Sequence, residues 1–462
     1  MDHGQQWLSE LIEAYDVPGA ALGIRHGNDR FECAAGVLNQ QTAVAATPDS
    51  VFQIGSITKV WTTTLIMGLA DEARLDLDAS VQTYLPGFRV ADEAASATIT
   101  VRQLLCHTSG FDGDLFTDTG RGDDALERFV VELSQQQQVF APGAAWSYNN
   151  AAFDVAGRVV EAVTGTTWDQ ALADRLVGPL GASRTGTLPE QALLHRAAAG
   201  HITDPDGTVR LATTWALPRS SGPAGLITAS VGDLLDFAWM HLHGGHPEVV
   251  SDAARAEMAR EQVRLPAPLG ASRTWGLGWS RFHWSTTGGE PVIVLGHDGA
   301  TIGQFAFLRA WLGPEVSPSG RNECLIVALL TNGGQASALA QTVLTEVFAE
   351  RTRIQVPEVP APPTEPMLIL DRAMIVGTYA QSSARLDVLA SQGTGLELRH
   401  VDTSGLADGN SETWTRPLVP VSATEFLVRP PLSGQWQPVT FCTLDGGSQV
   451  VYLGGRAHPR TS

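Results

Sequence analysis

Five prolines (Pro357, Pro360, Pro362, Pro363 and Pro366) crowd residues 356–367 and divide this 462-residue chain into two parts of different texture. A run so rich in proline stays extended and stiff, and neither helix nor interior strand tolerates it. Before it, strand-like and helix-like stretches mix. After it, apolar and polar residues alternate in short runs, as in Leu396-Glu397-Leu398-Arg399 and Val450-Val451-Tyr452-Leu453, punctuated by Gly, Ser, Asp and Pro. That is the pattern of a small antiparallel sheet or barrel. The expected organisation is therefore residues 1–355 as one domain, 356–367 as a linker and 368–462 as an all-β domain. A chain of this length also exceeds what one ordinary core supports.

Within the first part, strand candidates lie early (Ala20–Ile24, Phe31–Val37) and late (Gly276–Phe282, Val292–Leu295, Gln304–Leu308, Cys324–Leu330). The middle reads as helical and loop-rich, and a closing helix is expected over Ala336–Glu350. One sheet built from both ends, with a helical subdomain between, fits this order and leaves a cleft between two lobes. Composition agrees with a globular enzyme: 43% hydrophobic and 17% charged residues. The formal net charge of −19 argues against nucleic acid and anionic membrane surfaces as partners. No run reaches transmembrane length, and the first residues lack the basic start and apolar core of a signal peptide, so a cytoplasmic location is the expectation. Residues 5–15 read instead as an amphipathic helix. Cys33, Cys106, Cys324 and Cys442 show no metal or disulfide spacing and read as buried thiols.

Three stretches carry chemistry, and a fourth lies close to them in kind. Ser56-Ile57-Thr58-Lys59 opens an apolar helical run, and residues three apart share a helix face. A serine becomes a nucleophile when a neighbour takes its proton, and lysine does so only with a lowered pKa. Tyr148-Asn149-Asn150 precedes a helix over 151–163. Tyr148 could act as a base with a lowered pKa, and Asn150 could hold Lys59 and a substrate carbonyl; the stretch also reads as a plain helix cap over a core tyrosine. His297-Asp298-Gly299-Ala300 follows an apolar strand. Backbone N–H groups of Ser56 and Ala300 could form an oxyanion hole there, with His297 supporting Tyr148 or meeting a substrate carboxylate; a β-bulge with an exposed histidine is the plainer reading. His107, at a helix end before Gly110, reads as structural.

In this order, Ser56/Lys59, Tyr148/Asn150 and His297/Gly299 resemble the serine β-lactamase and penicillin-binding-protein superfamily, in the branch of class C β-lactamases, D-alanyl-D-alanine carboxypeptidases and D-aminopeptidases. Leu104–Gly110, Pro223-Ala224-Gly225-Leu226 and Trp275-Gly276-Leu277-Gly278-Trp279 support it, and the resemblance covers residues 5–350. It implies a β-lactamase/transpeptidase-like α/β (α+β) fold, an antiparallel sheet flanked by helices. It also implies an acyl-enzyme on Ser56, with Lys59 and Tyr148 moving the proton and no cofactor or metal. Asp298, where many hydrolases of the branch carry a small residue, and the lipocalin-like C-terminal unit (Val376–Tyr379 to Gly454–Arg460) look like the stand-alone penicillin-binding-protein-type thioesterases of nonribosomal peptide pathways. That likeness implies a peptidyl thioester substrate with a D-residue, a peptidyl carrier protein as a partner, Asp298 holding the attacking amine, and Arg456 reaching the substrate. Gly225 and Gly299 are expected to line the site. Trp215, Trp275, Trp279 and Trp284 are candidates for an apolar cleft, though at least half of them read as ordinary packing. Three readings stay open: a peptide cyclase or acyltransferase, a cytoplasmic D-peptidase, amidase or carboxylesterase, and a sensor that acylates without turnover.

Overall fold

In the computed structural model the described residues are 2–204, 207–266, 273–313, 323–364, 372, 375–391, 395–404, 413–431, 434–444 and 447–461. Their largest sheet is antiparallel and runs in the order Val44–Ala45, Asp29–Asn39, Gly19–His26, Leu325–Thr331, Phe305–Trp311, Pro291–Ala300, Ser280–Thr286, Arg273–Trp275, Val263–Arg264. The first strands of the chain thus pair with the last of this part: Ala20 faces Thr331 and His26 faces Leu325. The early and late apolar segments do build one sheet around an inserted helical middle.

Alternation explains why that sheet has two covered faces. Along Leu325–Thr331 every residue is buried, which requires packing on both sides. On one side lie the Asp2–Ala14 and Ala336–Arg351 helices, whose Leu8, Ile12, Leu339, Val343 and Val347 meet Leu22, Leu325, Val327 and Leu329. On the other side the sheet meets the helical lobe through Trp61, Leu65, Phe153, Leu235, Phe237 and Leu277. Among the described residues the four cysteines form no disulfide; three are buried and Cys442 is half-buried. Among the described residues no helix is long and apolar enough to cross a membrane.

Val356–Thr364 forms neither helix nor strand, as its prolines dictate; Pro366 and Met367 lie outside the described residues. Beyond them the described residues include eight antiparallel strands in sequence order, from Gly377–Ala380 to Arg456–Pro459. The last returns to the first through a bridge between Tyr379 and Arg460 and a hydrogen bond from the Thr461 N–H to the Thr378 carbonyl at 2.8 Å. The result is a nearly closed barrel filled by Tyr379, Leu386, Leu398, Phe426, Val439 and Val451. Closure removes edge strands that would otherwise recruit other chains. One outer wall of this barrel, Val450, Tyr452 and Ala457, packs into the core of the helical lobe.

Candidate active site

Ser56 lies in a single 3-10 turn, Gly55–Ile57, immediately before the Thr58–Asp71 helix. The turn, rather than the helix, carries the nucleophile. Gly55 has φ +51°, a left-handed conformation, and a Cβ there would sit 2.6 Å from the Ala300 nitrogen. Across the same contact, a Cβ on Gly299 would lie 1.9 Å from the Ile54 carbonyl oxygen and 3.1 Å from the Ser56 nitrogen. Two glycines therefore let the nucleophile turn and the Pro291–Ala300 strand touch backbone to backbone. The N–H groups of Ser56 and Ala300 meet at that contact, the arrangement an oxyanion hole requires. The strand stays in unbroken register with Phe305–Trp311 as far as Ala300, so the bulge that its sequence allowed does not form.

Lys59 is fully buried and its ammonium position is fully used. Nζ lies 3.0 Å from Ser56 Oγ, 2.6 Å from Asn150 Oδ1 and 2.7 Å from the Ala224 carbonyl oxygen. The last two groups can only accept. A neutral amine has two N–H bonds and one lone pair, so with both N–H bonds committed the lone pair faces the serine hydroxyl. Burial pulls the Lys59 pKa down to about 7; Asp154 opposes the shift and Arg456 assists it. Asp154, itself fully buried on the Ala151–Thr164 helix, is pushed well above the carboxylate range by burial, against Lys59 and the Ala224 N–H.

Tandem asparagines divide two tasks. Asn149 Oδ1 accepts from the Ala152 N–H at 2.7 Å and caps the helix. Asn150 is thereby released to hold Lys59, and its Nδ2 donates to Asp114 Oδ1 at 2.5 Å, which fixes the amide orientation. The cap and the expected contact of Asn150 with Lys59 are thus both present, on neighbouring residues.

Tyr148 lies within hydrogen-bonding reach of Ser56, but its pKa is raised, not lowered. Burial raises it, outweighing the Ser56 hydrogen bond and the positive charge of Arg456. The expectation of an ionised tyrosine base is corrected: the phenol keeps its proton and can give it to a leaving group. His107 stacks on the ring at 4.3 Å, and Trp275 meets it edge-on at 5.9 Å. His107 Nδ1 accepts from the Asn149 N–H at 3.0 Å, so the histidine positions this loop.

His297 is buried, and burial lowers its pKa to about 3, with Lys59 adding to the shift. Nδ1 bonds the Asp298 carbonyl oxygen at 2.7 Å and must donate there. Nε2 is then an acceptor without a partner among the described residues. A neutral ring cannot pair with a carboxylate as a cation does, which corrects that part of the expectation. Asp298 lines the cavity, and its carboxylate is gripped by Arg309 at 2.6 and 3.2 Å. Burial would raise its pKa; Arg309 and Arg273 outweigh this and lower it.

The C-terminal barrel reaches this cluster. Arg456 Nε donates to Asp114 Oδ2 at 2.8 Å, and its guanidinium carbon sits 4.6 Å from the Tyr148 ring centre. The Tyr148 N–H donates to the Gly455 carbonyl at 3.0 Å, and the Tyr452 hydroxyl donates to the Trp146 carbonyl at 2.8 Å. Arg456 is thus a structural ion pair and a wall of the site at once.

These groups open into a cavity of about 1000 Å³ whose walls include Ser56, Tyr148, Gly225, His297, Arg456 and Trp275. Trp215 is not among its lining residues: its indole N–H bonds the Ala198 carbonyl at 2.9 Å, and its own carbonyl takes Gln53. Trp279 and Trp284 pack in the two cores of the sheet domain, so one tryptophan of the four lines the cavity. Sequence reasoning missed Asp114, Asp154 and the Ala224 carbonyl. Asp154, four residues after Asn150 on one helix face, carried a signal; Asp114, on a loop, carried none.

Strand order, inserted helical lobe and the Ser–Lys–Tyr–Asn cluster are those of the β-lactamase and penicillin-binding-protein superfamily, whose members are serine hydrolases or acyltransferases. The chain belongs to the beta-lactamase family, whose model matches residues 5–348. Penicillin-binding protein 4 of Amycolatopsis lactamdurans is 43% identical over 387 residues, 82% of this chain and 97% of that protein. The crystal structure of SurE with D-Leu is similar over 100% of this chain and 99% of its own, with a TM-score of 0.76 and 26% identity. A D-stereospecific amidohydrolase from Streptomyces sp. matches over 73% of this chain and 96% of its own, with a TM-score of 0.57 and 27% identity.

Proposed function

We propose that the protein is a serine acyltransferase that takes a nonribosomal peptide with a C-terminal D-residue from its thioester and closes it head to tail. The observation that carries this reading is Arg456: a residue of the barrel is built into the nucleophile cluster through Asp114 and Asn150. The barrel is then part of the catalytic unit, as the likeness to thioesterases with an appended lipocalin-like domain expects. Similarity to SurE along the whole chain, and the D-Leu in that crystal, support the assembly and the D-configuration.

In the mechanism, Lys59 accepts the Ser56 proton as Oγ attacks the thioester carbonyl. The N–H groups of Ser56 and Ala300 hold the oxyanion, each worth about 3 kcal/mol of transition-state stabilisation. The tetrahedral adduct collapses, the C–S bond breaks, and the thiolate leaves with a proton relayed from Lys59 through Tyr148. The peptide's own amine then attacks the ester, losing its proton to Lys59, while Ser56 Oγ regains one. Asp298 faces the cavity to receive that amine, and the neutral acceptor His297 Nε2 takes a substrate N–H. Apolar walls at Trp275, Phe116, Phe305, Phe307 and Ile302 hinder water from competing.

A second reading is favoured by the 27% identity to the D-stereospecific amidohydrolase: water replaces the amine, and the products are linear acids. The test is a peptidyl thioester mimic with a C-terminal D-residue and a free N-terminus. The cyclase reading expects a product lighter than the linear acid by one water; linear acid alone would defeat it and favour the hydrolase.

A further inference from the structure

Resting on the peptide-substrate reading above, we propose that Arg273 reads a carboxylate on the substrate close to the scissile carbonyl. Arg273 lines the cavity. It stands directly across from Phe282 in the strand pairing, with its guanidinium carbon 5.4 Å from the ring centre. Arg309 covers the same ring at 3.9 Å. Gly296 leaves room for this stack, since a Cβ there would meet the Arg309 Cδ at 3.0 Å and Phe282 at 3.1 Å.

Two guanidinium groups thus share one phenylalanine, and Arg309 alone takes the Asp298 carboxylate, in a bidentate grip. Arg273 makes no ion pair within 4.0 Å among the described residues. The six residues before it, Ala267-Pro268-Leu269-Gly270-Ala271-Ser272, contain no acid. Two other lining cations are ion-paired, Arg210 with Asp204 and Arg456 with Asp114, while the lining acid Asp402, on the barrel, holds the Ser404 N–H. The cluster of Arg273, Arg309 and Asp298 therefore carries one positive charge in excess, in a protein whose net charge is −19.

Burial lowers the Arg273 pKa, the sign of a partly desolvated cation, and Tyr148 lies within its field. A desolvated guanidinium gains most from a planar carboxylate, which it can bind through two parallel hydrogen bonds. Arg273 and Trp275 stand two apart on the Arg273–Trp275 strand and share its face, and Trp275 meets the Tyr148 ring at 5.9 Å, which places that anion near the reacting carbon. The phosphate of a pantetheine arm, many bonds from its thioester, does not meet this condition. Two carboxylate sources do: an acidic side chain beside the acyl residue, and a carboxylate on the leaving group.

Two substrate pairs separate them. One pair is peptidyl thioesters with D-Glu or D-Gln next to the acyl residue, and the other carries a thioglycolate or thioglycolamide leaving group. Wild-type protein is expected to favour the carboxylate member of one pair in kcat/KM by about 10- to 100-fold. Added salt should shrink that ratio. Arg273→Gln should bring it to about one, and Arg273→Lys should retain part of it. Equal kcat/KM within both pairs for the wild type overturns the inference without any variant, as does a preference that survives Arg273→Gln. Acylation of Ser56 by the neutral members, with no charge preference, removes Arg273 and leaves the proposed function standing. Failure of every member to acylate Ser56 defeats both.

Discussion

Arg456 on the last strand of the barrel and Asp114 on a loop of the helical lobe meet at 2.8 Å, and Asp114 in turn holds the amide that holds Lys59. Nucleophile chemistry and C-terminal unit are joined by four consecutive polar contacts. Arg456→Met is therefore expected to lower kcat about 10- to 100-fold, with Arg456→Lys restoring part of it. Stability should fall by about 1–3 kcal/mol, because the Asp114 carboxylate loses its ion-pair partner and keeps only the Asn150 amide. Steady-state kinetics beside thermal unfolding check both; unchanged kcat would detach the barrel from catalysis.

The pH profile follows from Lys59. Only the neutral amine accepts the serine proton, and its pKa of about 7 lies far below that of a free lysine. The sign is clear: kcat/KM should be low under pH 6, rise with a slope of one through an apparent pKa of about 7, and then level off. Arg456 lowers the Lys59 pKa, so Arg456→Met should move the limb to higher pH. A limb near pH 10 in the wild type would mean a lysine that is not desolvated. His297, held near 3 by burial, contributes no inflection between pH 5 and 8.

How much of this was legible in the sequence differs by level. Ser56, Lys59, Tyr148, Asn150 and His297 could be found because the chemistry needs those residue types in that order, and each sits beside a strand or helix with a readable pattern. The fold was legible from apolar runs at both ends of the first part and from alternation in the second. Contacts made by loops were not: Asp114 joins Asn150 to Arg456 across 342 residues of chain, and nothing local announces that meeting. Trp215 misled because a tryptophan's composition says nothing of where its N–H finds an acceptor. The direction of the Tyr148 shift needed burial, which only packing supplies.

Backbone proximity at the oxyanion contact makes a sharp demand on one position. Gly299→Ala places a methyl 1.9 Å from the Ile54 oxygen, and backbone cannot yield as a flexible side chain does. Strand and nucleophile turn must separate, so activity should fall at least about 100-fold, as when an oxyanion donor is lost. Unfolding measurements should show a loss of about 1–3 kcal/mol. An active Gly299→Ala protein would rule out Ala300 as a donor.

Asp298 tests the choice between amine and water. On the proposed function, Asp298→Asn removes the charge assigned to the attacking amine, and should raise linear acid over cyclic product about tenfold, the worth of one charge-assisted hydrogen bond. Chromatography of both products checks it, and an unchanged ratio would take Asp298 out of the nucleophile's path.

The most direct test of the central claim, that Ser56 carries the acyl group with Lys59 as its base, is intact-protein mass spectrometry after mixing with a D-terminal peptidyl thioester, followed by peptide mapping. The account predicts a single added acyl mass on the peptide containing Ser56, absent in Ser56→Ala and slowed by orders of magnitude in Lys59→Ala. Turnover by the Ser56→Ala protein, or an acyl group mapped to another residue, would contradict it.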